Sequence, residues 1–241
     1  MDSSQKLTNT DVKKLNKNRI FRLIYNSDKI SRQEIADQLG LSLPTVNQNL
    51  KMLMEDGLIE YVGNFTSTGG RRAQAITINN NARKAISVNI KADYINVDVV
   101  GLKGQIIYSM AVKVHFSKSS AYIEKLTDAV RHAVDYVGAD ADDILGVGVT
   151  VPGILDDEKQ ILISAPPLKA KNYDFTKLIS AIDYPVVVMN DARAEAYADH
   201  WFNGKPEDEK IYIMLGEGVG GAYINASAIR NGVHNRGGEF G

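Results

Sequence analysis

The chain has 241 residues, of which 44% are hydrophobic, so it can bury the core of one large domain or of two ordinary ones. It has no apolar run long enough to span a membrane and no signal-peptide core at its N-terminus, so we expect a cytoplasmic location. The absence of cysteine excludes disulfides and thiolate metal sites and leaves the redox compartment undetermined. The net charge of −1 is unevenly distributed: residues 1–85 carry 13 Lys and Arg against 8 Asp and Glu, and residues 86–241 carry 15 against 21, which indicates a basic module followed by an acidic one.

The basic module begins with three predicted helices. In the first, "NKNRIFRLIYNS", apolar residues recur on one face. The second extends from an N-cap at Ser31, with Glu34 at the capping-box position, to Gly40. The turn "GLS" leads into the third, "SLPTVNQNLKMLMEDG", which Ser42 caps. Two short helices joined by a tight turn that contains glycine are typical of a helix-turn-helix.

The third helix carries compact hydrogen-bonding side chains on the face opposite its apolar stripe. Such side chains reach base edges and phosphates in a major groove, although an ordinary solvated helix face has a similar composition. The predicted DNA-contacting residues of this helix and its N-terminus are Ser42, Pro44, Thr45, Asn47, Gln48, Asn49 and Lys51.

A predicted hairpin behind this helix strengthens the DNA-binding interpretation. The stretch "LIEYVGNFTSTGGRRAQAITIN" has the pattern of strand, turn and strand, with "TGGRR" at the tip. Arg71 and Arg72 at a glycine-containing tip can enter a minor groove or bind phosphates, as in a wing. We therefore predict a winged helix-turn-helix over residues 1–85, with double-stranded operator DNA as its partner.

From about Ala85 the pattern becomes that of an α/β domain. Three strands, "AISVNI", "YINVDVVG" and "GQIIYSMAVKVHF", precede the helix "SAYIEKLTDAVRHAVDYVG". The strand "DILGVGVTVPG", a loop, the short helix "FTKLISAI", the strand "YPVVVMN" and the helix "DARAEAYADHWFNG" follow, and two paired strands surround the glycine turn of "KIYIMLGEGVGGAYINASAI". Ligands of such sheets bind beyond the carboxyl ends of strands. These ends carry Pro152-Gly153, Asn190-Asp191 and the turn Gly216–Gly221.

Several of these stretches together resemble one family. "VTVPGIL", "VVVMNDARAEA", "LGEGVGGAYI" and "GVHNRGGEFG" occur in the order and spacing of the ROK family (repressors, open reading frames and kinases), and "STGGRRA" is similar to the linker of its sugar-responsive repressors. The resemblance covers the chain from about Lys17 onward. It implies that residues 86–241 have an actin-like (ribonuclease H-like) ATPase-type sugar-kinase fold, with the first lobe complete and the second only begun.

The resemblance also implies a sugar site. Asp191 matches the general base of the family's kinases, Glu239 matches a sugar-binding carboxylate, and Gly153 belongs to a loop that lines the site. From the residues alone, Asp191 could simply be a helix N-cap. Pro167 stands where the family often has Asn, and this difference departs from the family's usual hexose pattern. The predicted sugar-binding residues are Gly153, Asn190, Asp191, His234 and Glu239.

The phosphate loops argue against a kinase. Actin-like sugar kinases need Asp-x-Gly-(Gly)-Thr at the first hairpin, whereas "ISVNIKADYINVDVV" has Asn89 for the acid, Lys91 and Ala92 for the small residues, and no glycine. Without that loop the positioning on which phosphoryl transfer depends is lost. We therefore interpret the glycine turn as a vestigial phosphate loop, because the carboxylate of Glu217 would repel a phosphate. The residues of this turn are Gly216, Glu217, Gly218 and Gly220.

The end of the chain bears on cofactors and assembly. The family continues from "GGEFG" into a histidine and a cysteine-rich zinc motif, neither of which is present, so we expect a fragment or truncated product with no catalytic residues, no cofactor and no zinc. The central hypothesis is a repressor of carbohydrate genes that a neutral sugar releases from DNA, acting as a homodimer where the missing part is present. A ROK sugar kinase that retains a DNA-binding domain, and a protein that binds DNA constitutively or is non-functional, remain alternatives.

Overall fold

The computed structural model describes residues 8–65, 73–156, 158–205, 207–216, 218–225, 228–232 and 236–240. The chain divides into two compact units. The first contains the residues up to Arg83 together with Gly101–Gln105, and the second contains Lys84–Val100 and the residues from Ile106 onward.

Three helices form the core of the first unit: α1 (Asn9–Tyr25), α2 (Arg32–Leu39) and α3 (Leu43–Glu55). The capping box predicted for α2 is confirmed, because Ser31 and Glu34 exchange hydrogen bonds at its start, and Gly40 ends it with a φ of 63°. Apolar side chains of the three helices pack into one buried cluster, which includes Ile20, Ile24, Ile35, Val46, Leu50 and Leu53.

An antiparallel pair, β1 (Ile59–Asn64) and β2 (Gln74–Ile78), follows the helices. Ile30 forms an isolated bridge with Ile76, which ties the segment before α2 to this pair. Three helices followed by a two-stranded hairpin are the elements of a winged helix-turn-helix, as the sequence predicts. The tip of the hairpin, with Arg71 and Arg72, lies outside the described residues.

The second unit is built on a five-stranded sheet. Its first strands are β3 (Lys84–Ile90), β4 (Tyr94–Gly101) and β5 (Ile106–Lys113); helix α4 (Ser120–Tyr136) and strand β6 (Ile144–Val151) follow. Alternate residues of β3 and β4 are buried, and they pack with β6 and α4 in one apolar core. The β4–β5 turn, Gly101–Gln105, belongs to the first unit, where the N–H groups of Leu102 and Lys103 donate to Asn80.

The segment predicted as a loop after β6 is a small antiparallel sheet instead. It contains β7 (Ile154–Asp156), β8 (Ile161–Ala165) and β9 (Ala170–Asp174), and the turn between β8 and β9 includes Pro167. Its inward side chains Leu155, Leu162 and Tyr173 join the main core. The short helix α5 (Thr176–Ser180) then leads to β10 (Val186–Asn190).

The order of the large sheet is β10-β6-β3-β4-β5, and β10, β6 and β3 run parallel. Helix α6 (Asp191–Asn203) starts directly after β10. Strands β11 (Glu209–Leu215), β12 (Val219–Asn225) and β13 (Ala228–Ile229) form a separate antiparallel sheet, so the predicted pairing around the glycine turn is confirmed.

The outward side chains of β11 form an exposed apolar face. Ile211, Ile213 and Leu215 alternate along the strand and are 65%, 56% and 80% exposed. Because all three point to the same side of the strand, they form a continuous stripe rather than scattered apolar positions. No helix among the described residues is long and apolar enough to cross a membrane.

Candidate functional site

Helix α3 presents its N-terminus and one polar face to the surface. Ser42 caps the helix: its hydroxyl accepts from the backbone N–H of Thr45 and lies 2.9 Å from the Thr45 hydroxyl. The side chains of Pro44, Asn47, Gln48 and Lys51 are exposed, as the DNA-binding interpretation requires, and the opposite face is buried. The arrangement supplies neutral donors and acceptors flanked by one cation, which suits base edges with a nearby phosphate.

Asn49 is the exception, and the prediction that it faces DNA is wrong. The residue is 3% exposed, and its side-chain amide donates to the carbonyl of Thr45 at 2.8 Å. The helical repeat places it beside Val46, Leu50 and Leu53, so its side chain lies against the core and bonds to the preceding turn.

Arg32 is a candidate that the sequence interpretation missed. It is exposed at the first position of α2, and its guanidinium lies 3.4 Å from the side-chain oxygen of Asn47 on α3. A cation beside the polar face of α3 can bind a phosphate while Asn47 contacts a base. Its position directly after the Ser31 N-cap was the available signal, because the start of the helix before a recognition helix faces the DNA backbone.

The second candidate site lies at the carboxyl ends of β6 and β10. The side-chain amide of Asn190 donates to the carbonyl of Gly153 at 2.9 Å, so the structure brings these two predicted residues together. The side-chain oxygen of Asn190 accepts from the backbone N–H of Arg193, which makes Asn190, and not Asp191, the N-cap of α6. The amide of Asn190 therefore ties the loop after β6 to the start of the helix.

Gly153 has a conformation that the other amino acids rarely adopt. Its φ is 104°, and a Cβ atom there would lie 2.2 Å from the carbonyl oxygen of Ser164 and 2.7 Å from the Cα of Ala165. The glycine therefore lets the loop after β6 pack directly against β8.

Asp191 is the first residue of α6, and its side chain is 5% exposed. One carboxylate oxygen accepts from the backbone N–H of Ala192 at 3.0 Å. The other forms an ion pair of 3.1 Å with the ammonium group of Lys91, which follows β3. Lys91 is thus a member of this site that the sequence interpretation considered only as a departure from a phosphate loop.

The segment that contains Glu239 packs against β12. Gly238 has a φ of 91°, and a Cβ there would lie 2.4 Å from the carbonyl oxygen of Gly221; a Cβ at Gly221 would overlap the ring of Phe240. Glu239 itself is exposed, and its backbone N–H donates to Arg236. The predicted sugar ligand His234 lies outside the described residues.

The four residues of the glycine turn differ in their surroundings. A Cβ at Gly220 would lie 2.9 Å from the Cβ of Ala192, so this glycine lets β12 approach α6. Gly216 and Gly218 have open space around them, and the N–H of Gly216 donates to the carbonyl of Gly218. Glu217 lies outside the described residues. Close packing thus explains Gly220, whereas it does not explain Gly216 and Gly218, whose assignment to a vestigial phosphate loop stays a prediction.

The chain contains no cysteine, so the thiolate ligands of the zinc motif that the family resemblance implies are not among its residues. Within the described ranges, no group of three or more His, Asp and Glu side chains is placed to hold a metal ion. The described residues alone therefore do not form a zinc site.

Comparisons with known families agree with the two units. Residues 85–241 match the model of the ROK family, and residues 15–60 match a model described as winged helix-turn-helix DNA-binding. The family match covers more than half of the chain.

Several similar curated proteins carry the names of transcriptional regulators. The xylose repressor of Bacillus subtilis (strain 168) is 28% identical over 236 residues, which are 96% of this chain and 61% of that protein. The DNA-binding transcriptional dual regulator NagC of Escherichia coli (strain K12) is 25% identical over 95% of this chain and 57% of its own length. The chain thus spans about three-fifths of the length of these relatives.

Two solved structures extend the comparison. A ROK family transcriptional regulator, described as a homologue of the E. coli MLC protein, has a TM-score of 0.67 and 22% identity, over 94% of this chain and 58% of its own, which supports the fold. A ROK family glucokinase from Streptomyces griseus, solved with glucose and AMPPNP, has a TM-score of 0.54 and 30% identity, over 66% of this chain and 49% of its own. The N-terminal winged helix-turn-helix and the sugar-kinase-like fold that the sequence predicts are both confirmed.

Proposed function

The chain belongs to the ROK family, and from this premise we propose that it is a transcriptional regulator of carbohydrate genes whose DNA binding is controlled by a neutral sugar. The observation that carries the proposal is the presence of both modules in one chain: a helix-turn-helix with an exposed polar face on α3, and a sugar-kinase-like unit with a polar site at the ends of β6 and β10. The regulators similar to it over almost its whole length support the same role.

The sugar is proposed to bind at the site formed by Gly153, Asn190 and Asp191. Carboxylate and amide groups at strand ends match hydroxyl groups, which both donate and accept hydrogen bonds. A ligand that binds one conformation of this unit better than another shifts the population between them. In a dimer, that shift changes the separation of the two copies of α3, which contact the DNA. The two helices then no longer fit the two halves of the operator.

We also propose that the chain does not transfer phosphate. The connection between β3 and β4, which should hold the first phosphate loop of an active kinase, contains Lys91, Ala92 and Asp93 and no glycine. The ammonium group of Lys91 donates to one oxygen of Asp191, and the N–H of Ala192 and the amide of Asn190 donate to the other, so the carboxylate is fixed in place as a hydrogen-bond acceptor. These contacts favour a binding role for Asp191.

Two measurements test this proposal. Selection from a random pool of duplexes should enrich a defined DNA sequence, and Gln48→Ala should weaken binding to it while the exposed helix substitution Glu124→Ala on α4 should not. A coupled ATP-turnover assay with glucose, N-acetylglucosamine, fructose and xylose should give no transfer above background. Failure to enrich any sequence would refute the regulatory proposal, and measurable sugar phosphorylation would favour a ROK kinase that retains a DNA-binding domain.

A further inference from the structure

The ion pair between Lys91 and Asp191 joins residues that are 100 positions apart in the chain. The register of the sheet explains the contact. Asn89, Thr150 and Met189 are aligned across β3, β6 and β10, and each strand ends within two residues of that point. Lys91 directly follows β3 and Asp191 directly follows β10, the two strands that flank β6. Both residues therefore lie at the carboxyl end of the sheet, with the end of β6 between them.

The length of the lysine side chain is matched to this gap. Strands separated by one intervening strand lie roughly 10 Å apart, so a short side chain after β3 could not reach the start of α6. The ammonium group of Lys91 reaches Asp191 across the end of β6 while 29% of the side chain stays exposed. The partner carboxylate is almost fully buried, so the pair has one covered member and one accessible member.

The pair retains hydrogen-bonding capacity. An ammonium group has three donors, and among the described residues Asp191 is the one side-chain partner of Lys91. One carboxylate oxygen of Asp191 accepts from the N–H of Ala192 and, at 3.4 Å, from the side-chain amide of Asn190. Among the described residues the other oxygen accepts from Lys91 alone, which leaves a lone pair on it. On the same side of β3, two residues before Lys91, the side-chain oxygen of Asn89 is buried and accepts no hydrogen bond from the described part of the chain. A buried acceptor without a donor is costly unless a ligand or water supplies one.

We infer that Lys91 and Asp191 form a clamp for two neighbouring hydroxyl groups of the sugar, in which Lys91 donates to one hydroxyl oxygen and Asp191 accepts from the other. The inference deepens the proposed sugar-sensing function and rests on it. The clamp assigns to Lys91 a direct part in sugar recognition, at a position where an active kinase of this fold needs a small residue beside the phosphates.

The charges of the clamp define the class of ligand. The ammonium and the carboxylate cancel, so the pair offers no net charge to a phosphate or a sugar acid, and an added anion would compete with Asp191 for Lys91. A neutral sugar with adjacent hydroxyls uses both members without separating them. The clamp is therefore specific for neutral polyols, and phosphorylated sugars should bind more weakly than their parent sugars.

The test uses calorimetric titration of the full chain with D-glucose, D-xylose and N-acetyl-D-glucosamine, followed by variants with the sugar that binds most tightly. Lys91→Met keeps the length of the side chain and removes the charge, and it should weaken binding roughly ten- to hundredfold, the effect of losing a hydrogen bond to a charged group. Lys210→Met is the matched control, because it removes an ion pair with Asp208 on the surface of the same unit and should leave the affinity within twofold.

Deoxy sugars separate a direct contact from a structural role. In the wild-type chain, at least one deoxy analogue should lose about tenfold in affinity, and in Lys91→Met the same analogue should bind as well as the parent sugar. Where Lys91→Met does not fold, Lys91→Met combined with Asp191→Asn restores a neutral pair of similar shape, and this folded double variant should still bind the sugar weakly. Glucose 6-phosphate should bind more weakly than glucose in the wild type.

Each outcome decides the inference. Wild-type affinity in Lys91→Met, an equal deoxy penalty in both proteins, recovery of binding by the double variant, or tighter binding of glucose 6-phosphate than of glucose would each overturn the clamp. If the wild-type chain binds a sugar and Lys91→Met binds it equally well, the clamp fails while sugar sensing stands. If the wild-type chain binds none of the three sugars, the sensing part of the proposed function fails together with the clamp.

Discussion

Replacing Gly153 with alanine should disrupt the site at the carboxyl ends of β6 and β10, and the loss in the free energy of unfolding can be worked out from the structure. Its φ of 104° is a backbone conformation that costs a residue with a Cβ about 1–2 kcal/mol. The new Cβ would also overlap the carbonyl oxygen of Ser164, so the loop after β6 must move. That movement breaks the 2.9 Å hydrogen bond from Asn190 to the Gly153 carbonyl, a further loss of about 1 kcal/mol.

We therefore expect Gly153→Ala to lower the free energy of unfolding of the second unit by about 2–4 kcal/mol. Gly148→Ala is the matched control: it lies on the neighbouring strand β6, and its Cβ would meet only the carbonyl oxygen of Ile86, at 4.0 Å. Because an unstrained alanine restricts the unfolded chain, the control should change stability by less than about 1 kcal/mol.

Urea unfolding followed by tryptophan fluorescence measures this difference, because the single tryptophan of the chain, Trp201, is in α6 and reports on the second unit. If the slope of the unfolding free energy against urea concentration (the m-value) is the same in both variants, they expose similar surface on unfolding, and the midpoints can be compared directly. Equal midpoints for Gly153→Ala and Gly148→Ala would refute the reasoning, since they would mean that neither the φ angle nor the contact with Ser164 constrains the loop.

The remaining predictions concern both units. Gln48→Ala should weaken binding to a selected duplex roughly tenfold, whereas Asn49→Ala should leave it within about twofold because Asn49 is buried; fluorescence anisotropy measures both, and the reverse order would contradict the assignment of the α3 face. Tyr122→Phe should raise the free energy of unfolding by about 1 kcal/mol, because the Tyr122 hydroxyl is buried and makes no hydrogen bond within the described residues. The same burial raises the pKa of Tyr122. Urea unfolding measures the change, and a loss of stability would mean that the hydroxyl has a hydrogen-bond partner after all. Ile213→Lys should reduce self-association in light scattering, because it interrupts the exposed apolar face of β11; unchanged association would exclude that face as the cause.

Local signals made much of the fold predictable. The capping box of Ser31 and Glu34, the N-cap at Ser42 and the glycine at position 40 fix the ends of the helices, because they satisfy backbone groups within a few residues. The strands β3 and β4 were also predictable from local signals, because alternate residues along each of them are buried. The sheet β7–β9 escaped prediction because its strands are only three to five residues long and the turn between two of them contains consecutive prolines.

The site was less predictable because its contacts depend on the fold as a whole. Asn190 and Gly153 could be placed at strand ends, but their hydrogen bond depends on the parallel pairing of β6 and β10. The partnership of Lys91 with Asp191 requires the register of three strands, which residue types alone do not encode. The polar character of Asn49 likewise hid its burial, since its side-chain NH2 group donates to the carbonyl of Thr45 on the preceding helical turn.

The central claim is that one chain couples sugar binding to DNA binding, and fluorescence anisotropy of a labelled selected duplex tests it most directly. Titrations with and without a saturating sugar should give different affinities, and the sugar should lose affinity in the presence of the duplex by the same factor, because coupling between two ligands is reciprocal. Identical DNA affinities at a sugar concentration that calorimetry shows to be saturating would contradict the account.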